Sequence, residues 1–548
     1  MRSTWSPLAI LLVCSVLIGC RAQEPLVKRE MVPMRDGTLL ATAIAFPPGD
    51  GPWPVVLSRT PYGKEAQAKD APAFTRHGVV RVVQDLRGRF DSEGLDGIFL
   101  SDGWGEQQDG YDTIQWLAKQ PWCDGKVGMI GGSAVGITQY MAAGTNPPAL
   151  KCCLPTVAAS SLYHHAAFPG GVFRKADVEG WTRGSGFRPE ALQTVRDHPL
   201  YDDLWRALDL PARAPQVNVP MLHVGGWYDL FSQGTLDAYM ALQHQGGPGA
   251  AGKQMLVMGP WVHGTKPGDG LNYPPSAREN PSGRLLGPWF LKWLLEREDP
   301  ALSGPPVHYY VMGACDEPGA PGNEWRTAAD WPVPSQPTPL YLHKSGNASF
   351  APPQEEDAGL SYSYDPRDPV PTLGGSNLVL DSGPRDQRPV EGRPDVLLFT
   401  TEPLAEPLEV TGRIVVRLFV HSDCPDTDFT AKISDVYPDG RSMLLTDGIL
   451  RMRFRDGFQA EEAMEPQQAY AIAVDLWSTS IVFNKGHRIR IAISSSNSPR
   501  YEPNLNTGGG ANADTVHRVA RNTLHVGEKC PSQVILPVVQ ASTMIGSN

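Results

Sequence analysis

The stretch Lys126-Val-Gly-Met-Ile-Gly-Gly-Ser-Ala-Val-Gly-Ile-Thr-Gln-Tyr140 decides the fold, because it joins an apolar strand, a glycine-rich turn and the start of a helix. Ser133 stands at the apex of that turn, with glycines at 131, 132 and 136. A strand that becomes a helix within two residues strains the backbone at its apex and requires small neighbours. The strand, turn and helix therefore predict a nucleophile elbow with the pattern G-x-S-x-x-G, in which the common G-x-S-x-G pentapeptide is absent, and they make Ser133 a candidate nucleophile.

Strands and helices alternate on both sides of this stretch. Pro54–Ser58, Gly78–Val83 and Leu150–Thr156 are short apolar runs, typical of strands that are buried on both faces. A helical pattern lies around Gly105–Lys119, and Leu285–Leu295 is a final amphipathic helix. This alternation predicts a mostly parallel, doubly wound α/β sheet.

The alternation is interrupted once and then ends. Residues 158–215 lack a sustained strand pattern, so we expect a small helical cap inserted between two parts of the α/β domain, 27–157 and 216–300. Beyond Gly304, strict alternation in Ile414–Val420 and in Ile489–Ile493 predicts half-buried antiparallel strands. Residues 305–548 are therefore expected to form an all-β jelly-roll sandwich.

Residues 1–22 are expected to be an export signal rather than part of the fold. Their apolar run, Leu8–Ile18, is too short to span a bilayer. It ends in Leu17-Ile-Gly-Cys20, which resembles a bacterial lipoprotein box and predicts a lipid on Cys20 as the link to the membrane of the cell envelope. Cleavage after Ala22, giving a soluble periplasmic or secreted protein, is the alternative, and an uncleaved anchor is a third.

Composition argues against several classes of partner. The formal charge of −11, without a basic stripe, argues against nucleic-acid binding. Neither a C-x-x-C pair nor an H-E-x-x-H motif occurs, so no metal site and no cofactor are expected. Cys152 and Cys153 are expected to be buried, and Cys424 and Cys530 are conceivable disulfide partners in an exported protein.

Two later strand ends carry the residues that an activated serine needs. The run Val219–Val224 leads to Asp229, and the run Gln254–Met258 leads to His263. An aspartate after a strand is commonly a turn residue, and a histidine among prolines and glycines is commonly structural. Their joint occurrence with Ser133, in the chain order of α/β-hydrolases, instead predicts a Ser-Asp-His triad.

The oxyanion hole and the substrate pocket are predicted less directly. The N–H of Ala134, directly after the nucleophile, is one expected oxyanion donor. Tyr62 lies in a loop after a strand and is either a second donor or a packing residue. Trp227 and Phe231 flank Asp229, and Trp261 precedes His263, so we expect these aromatic residues to form the pocket.

The motifs together resemble the X-prolyl dipeptidyl-peptidase/cocaine esterase family of serine hydrolases, from about Lys28 to the C-terminus. The stretches that carry the resemblance are Arg59-Thr-Pro-Tyr-Gly-Lys64, Gln84-Asp-Leu-Arg-Gly88, Trp122-Cys-Asp-Gly-Lys-Val-Gly128, Gly131-Gly-Ser-Ala-Val-Gly136, Gly226-Trp-Tyr-Asp229, Gly259-Pro-Trp-Val-His263 and Lys485-Gly-His-Arg-Ile-Arg-Ile491. The resemblance implies that Ser133, Asp229 and His263 form the triad and that Tyr62 completes the oxyanion hole. It also implies a C-terminal jelly roll. Ala134 departs from the family, in which an aromatic residue often follows the nucleophile.

These features predict a serine hydrolase that cleaves an ester or amide of a small molecule through an acyl-enzyme. The alternative is an X-Pro dipeptidyl-peptidase, which needs a carboxylate to hold a free α-amino group. The acidic residues of the cap region, Asp177, Glu179 and Glu190, show no pattern that indicates this role. A surface-binding lipoprotein with an idle hydrolase domain is a remote alternative.

Overall fold

The computed structural model of the protein describes residues 26–356, 358–509 and 516–540. The predicted signal, 1–22, and Cys20 lie outside these residues, so export and lipidation stay predictions. Within the described ranges, no helix is long and apolar enough to cross a membrane.

A ten-stranded mixed sheet organises the first part of the chain, in the order β1-β2-β4-β3-β5-β6-β7-β8-β11-β12. Its strands are β1 (Leu26–Pro33), β2 (Leu39–Phe46), β3 (Trp53–Thr60), β4 (Val80–Asp85), β5 (Cys123–Gly132), β6 (Leu150–Thr156), β7 (Leu222–Gly226), β8 (Met255–Gly259), β11 (Val307–Val311) and β12 (Glu324–Ala328). The pairs from β4 through β11 are parallel, and the ends of the sheet are antiparallel. Two short strands, β9 (Trp261–Val262) and β10 (Lys266–Pro267), pair separately after β8.

Helices cover both faces of this sheet, because its central strands are apolar on both sides. The helices of the α/β part are α1 (Lys64–Gln67), α2 (Ala71–Thr75), α3 (Asp109–Ala118), α4 (Ala134–Gly144), α8 (Ser232–Gln245) and α9 (Ser282–Leu295). Cys153 packs in the cluster that contains Ile137 of α4, whereas Cys152 packs with Trp289 of α9. Adjacent residues of one strand thus fill two hydrophobic cores, which confirms the predicted doubly wound sheet.

The segment between β6 and β7 is helical, as expected for the cap. A π-helical turn at Tyr163–Ala167 is followed by three helices, α5 (Lys175–Gly184), α6 (Pro189–Asp197) and α7 (Asp203–Arg206). Buried cap residues such as Val195 and Trp205 join the core cluster that contains Ile137 of α4. The cap and the elbow helix thereby share one hydrophobic core.

The C-terminal part forms two antiparallel sheets, one of seven strands and one of four, which confirms the predicted all-β sandwich. Its strands are β13 (Gln336–Leu342), β14 (Ala348–Ser349), β15 (Gly359–Tyr364), β16 (Leu397–Thr400), β17 (Leu408–Ser422), β18 (Asp428–Val436), β19 (Ser442–Arg451), β20 (Tyr470–Phe483), β21 (Arg488–Ser494), β22 (Ala520–His525) and β23 (Gln533–Val538), with a short helix α10 (Arg388–Glu391). The alternating stretches of the sequence lie in β17 and β21. Cys424 and Cys530 are both free thiols.

The start of the sandwich differs from the expectation. The sequence assigns all of 305–548 to the sandwich, but β11 and β12 extend the α/β sheet instead. Val307 pairs in parallel with Leu256 of β8, and four of the five β11 residues are buried. Burial that extends over successive residues suits a strand covered on both faces rather than a half-exposed one.

Candidate active site

The elbow has the strained geometry that its glycines predict. Ser133 lies between β5 and α4 with φ 56° and ψ −127°, and its N–H donates to the Thr156 carbonyl over 2.9 Å. A Cβ on Gly131 would lie 2.2 Å from Val135 Cγ1, and one on Gly136 would lie 2.7 Å from Ala158 Cβ. Glycine is therefore required at both positions to fold the turn, and Ser133 carries strain that is common at functional sites.

The three predicted triad residues meet at the carboxyl ends of their strands. His263 Nε2 lies 3.0 Å from Ser133 Oγ, and His263 Nδ1 lies 2.6 Å from Asp229 Oδ2. The other oxygen of Asp229 accepts a hydrogen bond from the Phe231 N–H over 2.8 Å. An ionised carboxylate only accepts, so Nδ1 carries the imidazole proton and Nε2 presents its lone pair to the serine hydroxyl.

Two opposing influences set the proton affinity of His263. Burial lowers the pKa of His263, whereas the charge and the hydrogen bond of Asp229 raise it, and the carboxylate of Asp177 adds to the raising effect. The net result is a pKa above the ordinary value of histidine. The Asp229 side chain is fully buried, so its charge acts on the imidazole with little screening by water.

The two predicted oxyanion donors belong to different parts of the fold. The Ala134 N–H is the first of α4, where helix N–H groups lack partners within the helix. Tyr62 lies just beyond the end of β3, where its N–H donates to Thr60 Oγ1 over 3.0 Å. The Tyr62 hydroxyl oxygen accepts a hydrogen bond from Trp181 Nε1 over 2.9 Å, which connects the tyrosine to the cap.

An apolar cavity opens beside the nucleophile. Ser133 and Ala134 line it together with side chains from the cap, from the loop before α3 and from the loop after β7. The large apolar and aromatic residues of the lining include Phe99, Leu162, Trp181, Trp205, Leu230 and Phe231. Phe231 also packs edge-on against His263, with ring centroids 5.8 Å apart, so the predicted pocket residue Phe231 does border the triad.

Comparison with known proteins assigns the chain to a family. The family model described as X-Pro dipeptidyl-peptidase (S15 family) matches residues 36–187 and 185–265, and the one for the X-Pro dipeptidyl-peptidase C-terminal non-catalytic domain matches residues 302–535. The chain belongs to the X-Pro dipeptidyl-peptidase/cocaine esterase family. The match confirms the family resemblance that the motifs predict. The S15-family match includes the four predicted residues Tyr62, Ser133, Asp229 and His263.

Individual relatives extend over nearly the whole chain. A cocaine esterase from Rhodococcus sp. (strain MB1 Bresler) is 36% identical over 584 aligned positions, covering 93% of this chain and 98% of that protein. An aminopeptidase from the marine sediment archaeon Thaumarchaeota archaeon has a TM-score of 0.80 at 26% identity and covers 98% of this chain and 99% of its own. An α-amino acid ester hydrolase has a TM-score of 0.78 at 28% identity, covering 97% and 100%. Together with the family match, these similarities show that this chain is a serine hydrolase.

Two of the predicted pocket residues of this family member lie elsewhere. Trp227 is buried against Trp331, and its Nε1 donates to the Tyr310 carbonyl over 2.7 Å. Trp261 is fully buried, and its Nε1 donates to the Ala277 carbonyl over 2.8 Å. A Cβ on Gly259 would lie 2.2 Å from the Trp261 ring, so the glycine lets this ring fold back beneath the strand end. Neither tryptophan lines the cavity.

A buried carboxylate enters the cavity instead. Asp177 lines the cavity with Ser133, although nothing in its sequence context indicates such a position. Its Oδ1 accepts hydrogen bonds from the N–H groups of Leu378 (2.9 Å) and Val379 (3.1 Å), and its Oδ2 lies 3.9 Å from Arg174 Nε without a hydrogen-bond partner. The loop that it binds begins 201 residues later in the chain, which is why local patterns do not reveal the contact.

Proposed function

We propose that this protein hydrolyses an ester or amide bond of a small molecule through an acyl-enzyme on Ser133. The observation that carries the proposal is the continuous chain from Ser133 Oγ to His263 (3.0 Å) to Asp229 (2.6 Å), placed at the edge of an apolar cavity. A hydrolase domain without catalytic activity would not require both hydrogen bonds and the strained elbow at the same site.

The reaction follows from the donors and acceptors of these residues. Ser133 Oγ attacks the carbonyl carbon while His263 Nε2 takes the hydroxyl proton and Asp229 stabilises the imidazolium. The negative oxygen of the tetrahedral intermediate is held by the Ala134 N–H and the Tyr62 hydroxyl. His263 then gives its proton to the leaving alcohol or amine, and water releases the acid by the same steps with His263 as the base.

A labelling experiment tests the proposal. A fluorophosphonate probe is expected to modify the wild-type protein on Ser133 and to block turnover of p-nitrophenyl esters. A screen that adds dipeptidyl p-nitroanilides separates an esterase from an X-Pro dipeptidyl-peptidase. A protein that is neither labelled nor active on any of these substrates would contradict the proposed function.

The Tyr62→Phe substitution is expected to keep the fold but to lower kcat by roughly 10²–10³, the usual effect of losing one oxyanion donor. Tyr62 is 37% exposed, so removal of its hydroxyl leaves the core intact. The measurement is kcat and KM on a p-nitrophenyl ester, with thermal melting as the check of folding. An unchanged kcat would mean that another group supplies the second donor.

The acyl group is expected to be uncharged. The residues after Asp229, Leu230, Phe231 and Ser232, carry no charge, and the Asp177 carboxylate already has Arg174 and two N–H groups around it. A substrate ammonium would therefore find only Asp177 Oδ2, which already faces Arg174 at 3.9 Å, as an anionic partner in an otherwise apolar cavity. Incomplete pairing of a buried charge costs several kcal/mol. A phenylacetyl p-nitrophenyl ester should exceed the matching phenylglycyl ester in kcat/KM by about tenfold or more.

The control for this comparison is the Asp177→Asn variant, which removes the one carboxylate found in the cavity lining. The preference for the phenylacetyl ester should persist in this variant. A wild-type preference for the phenylglycyl ester that disappears in Asp177→Asn would contradict the prediction and assign the amino group to Asp177.

A further inference from the structure

We infer that Trp181 is a positioning residue for the oxyanion hole, because its indole N–H fixes the direction in which the Tyr62 hydroxyl donates. The inference rests on the proposed function, since it concerns how Tyr62 acts in that reaction. The observation behind it is the 2.9 Å hydrogen bond between Trp181 Nε1 and Tyr62 Oη.

The chemistry of the two groups determines the direction of this hydrogen bond. An indole nitrogen only donates, whereas a phenolic hydroxyl donates once and accepts through its lone pairs. Tyr62 Oη must therefore be the acceptor, and its own hydrogen stays available for another acceptor. A hydroxyl that is free to rotate can donate to any of several acceptors, including water. One lone pair of Tyr62 Oη already accepts the hydrogen bond from Trp181, which restricts the direction of the O–H. The tyrosine proton is thus directed away from Trp181 in advance of substrate binding.

The indole is itself held in place by two other aromatic rings. Trp181 stacks on Phe99 with ring centroids 5.8 Å apart and an interplanar angle of 12°, and it contacts Phe187 at 4.9 Å. Ile98 and Phe99 adopt φ values of 48° and 68°, a left-handed conformation that is rare for a β-branched or bulky residue. Strain of this kind persists only where the surroundings fix it, and here it places Phe99 against the indole.

Trp181 contacts both the cavity beside Ser133 and the hydroxyl of Tyr62. The same side chain lines the cavity with Ser133 and holds the hydroxyl of Tyr62. A hydroxyl that is oriented in advance loses no rotational freedom when the oxyanion forms, which is the advantage of a preorganised donor. Trp181 therefore contributes to catalysis through Tyr62, in addition to forming a wall of the cavity.

A double-mutant cycle tests the inference. Trp181→Phe keeps an aromatic ring beside Phe99 but removes the N–H, and we expect it to lower kcat about tenfold, the effect of one lost hydrogen bond. In a Tyr62→Phe background, the same substitution should change kcat less than about twofold, since the hydroxyl that Trp181 orients is absent. A residue that only forms the wall of the cavity would lower activity by the same factor in both backgrounds.

The possible outcomes separate this inference from the proposed function. Equal effects of Trp181→Phe in the two backgrounds, or no effect in either, would overturn the inference while Ser133 labelling and wild-type turnover remain. Absence of fluorophosphonate labelling in the wild-type protein would instead contradict the proposed function. Thermal melting checks the folding of each variant. If Trp181→Phe does not fold, Trp181→Leu, which also lacks the N–H, replaces it in the cycle.

Discussion

Turnover is expected to fall about 10⁶-fold in Ser133→Ala, by analogy with a Ser-His-Asp enzyme in which the nucleophile has been removed. The variant lacks the atom that forms the acyl bond, while the cavity and both proposed oxyanion donors remain. His263→Ala should lose about as much, because the hydroxyl of Ser133 is a weak nucleophile without the base that lies 3.0 Å away. The measurement is kcat on the best p-nitrophenyl ester of the screen.

Matched controls distinguish these losses from general damage. Ser303 and His77 are exposed and distant from the triad in sequence, and Ser303→Ala and His77→Ala should keep full activity. The fluorophosphonate probe should label both control variants but not Ser133→Ala. Substrate binding should persist in Ser133→Ala, since the apolar lining is unchanged. Retention of even about a tenth of the activity in Ser133→Ala or His263→Ala would contradict the mechanism.

The parts of the site that sequence predicts well are those fixed by backbone geometry. An elbow needs small residues wherever a Cβ would collide, so Gly131 and Gly136 indicate Ser133 as the residue at its apex, and the later Asp229 and His263 support it. Parallel strands place their carboxyl ends at one edge of the sheet, so residues following successive strands can meet there. That is why Asp229 and His263 are recognisable from their places in the chain.

The parts that sequence predicts poorly depend on contacts between distant segments. Trp227 and Trp261 are neighbours of triad residues in the chain, yet their rings enter cores beneath the strand ends. Asp177 and Trp181 lie in the cap, where no strict periodicity shows which side of a helix faces the nucleophile. Their partners, the loop at Leu378 and the Tyr62 hydroxyl, are 201 and 119 residues away in the chain.

Domain boundaries show the same limitation. A strand is recognisable from its apolar run, but the sheet it joins is decided by pairing. The residues of β11 follow the α/β pattern of continuous burial, whereas the alternating strands begin later in the chain. The core of the sandwich also includes Trp227 and Tyr228, which follow β7, so the two parts share one continuous apolar interior.

The Asp229→Asn substitution is expected to lower kcat/KM about 10⁴-fold by stabilising the wrong imidazole tautomer. The asparagine oxygen can still accept from the Phe231 N–H, which leaves its NH₂ group facing His263 Nδ1. The imidazole proton then moves to Nε2, where it blocks acceptance of the Ser133 proton. The pH profile should change as well. Asp229 raises the pKa of His263 against the lowering effect of burial, so its loss should move the acid limb of kcat/KM to lower pH.

The chain offers another aspartate–histidine pair, with a buried His165 and a half-buried Asp237, as the control for Asp229→Asn. Asp237 Oδ2 lies 3.0 Å from His165 Nε2, and neither residue lines the Ser133 cavity. Asp237→Asn should therefore leave the acid limb of the pH profile in place, even where it reduces the thermal stability. An acid limb that stays fixed in Asp229→Asn would contradict the assignment, because the group titrating in that limb would then not be the imidazole that Asp229 holds at 2.6 Å.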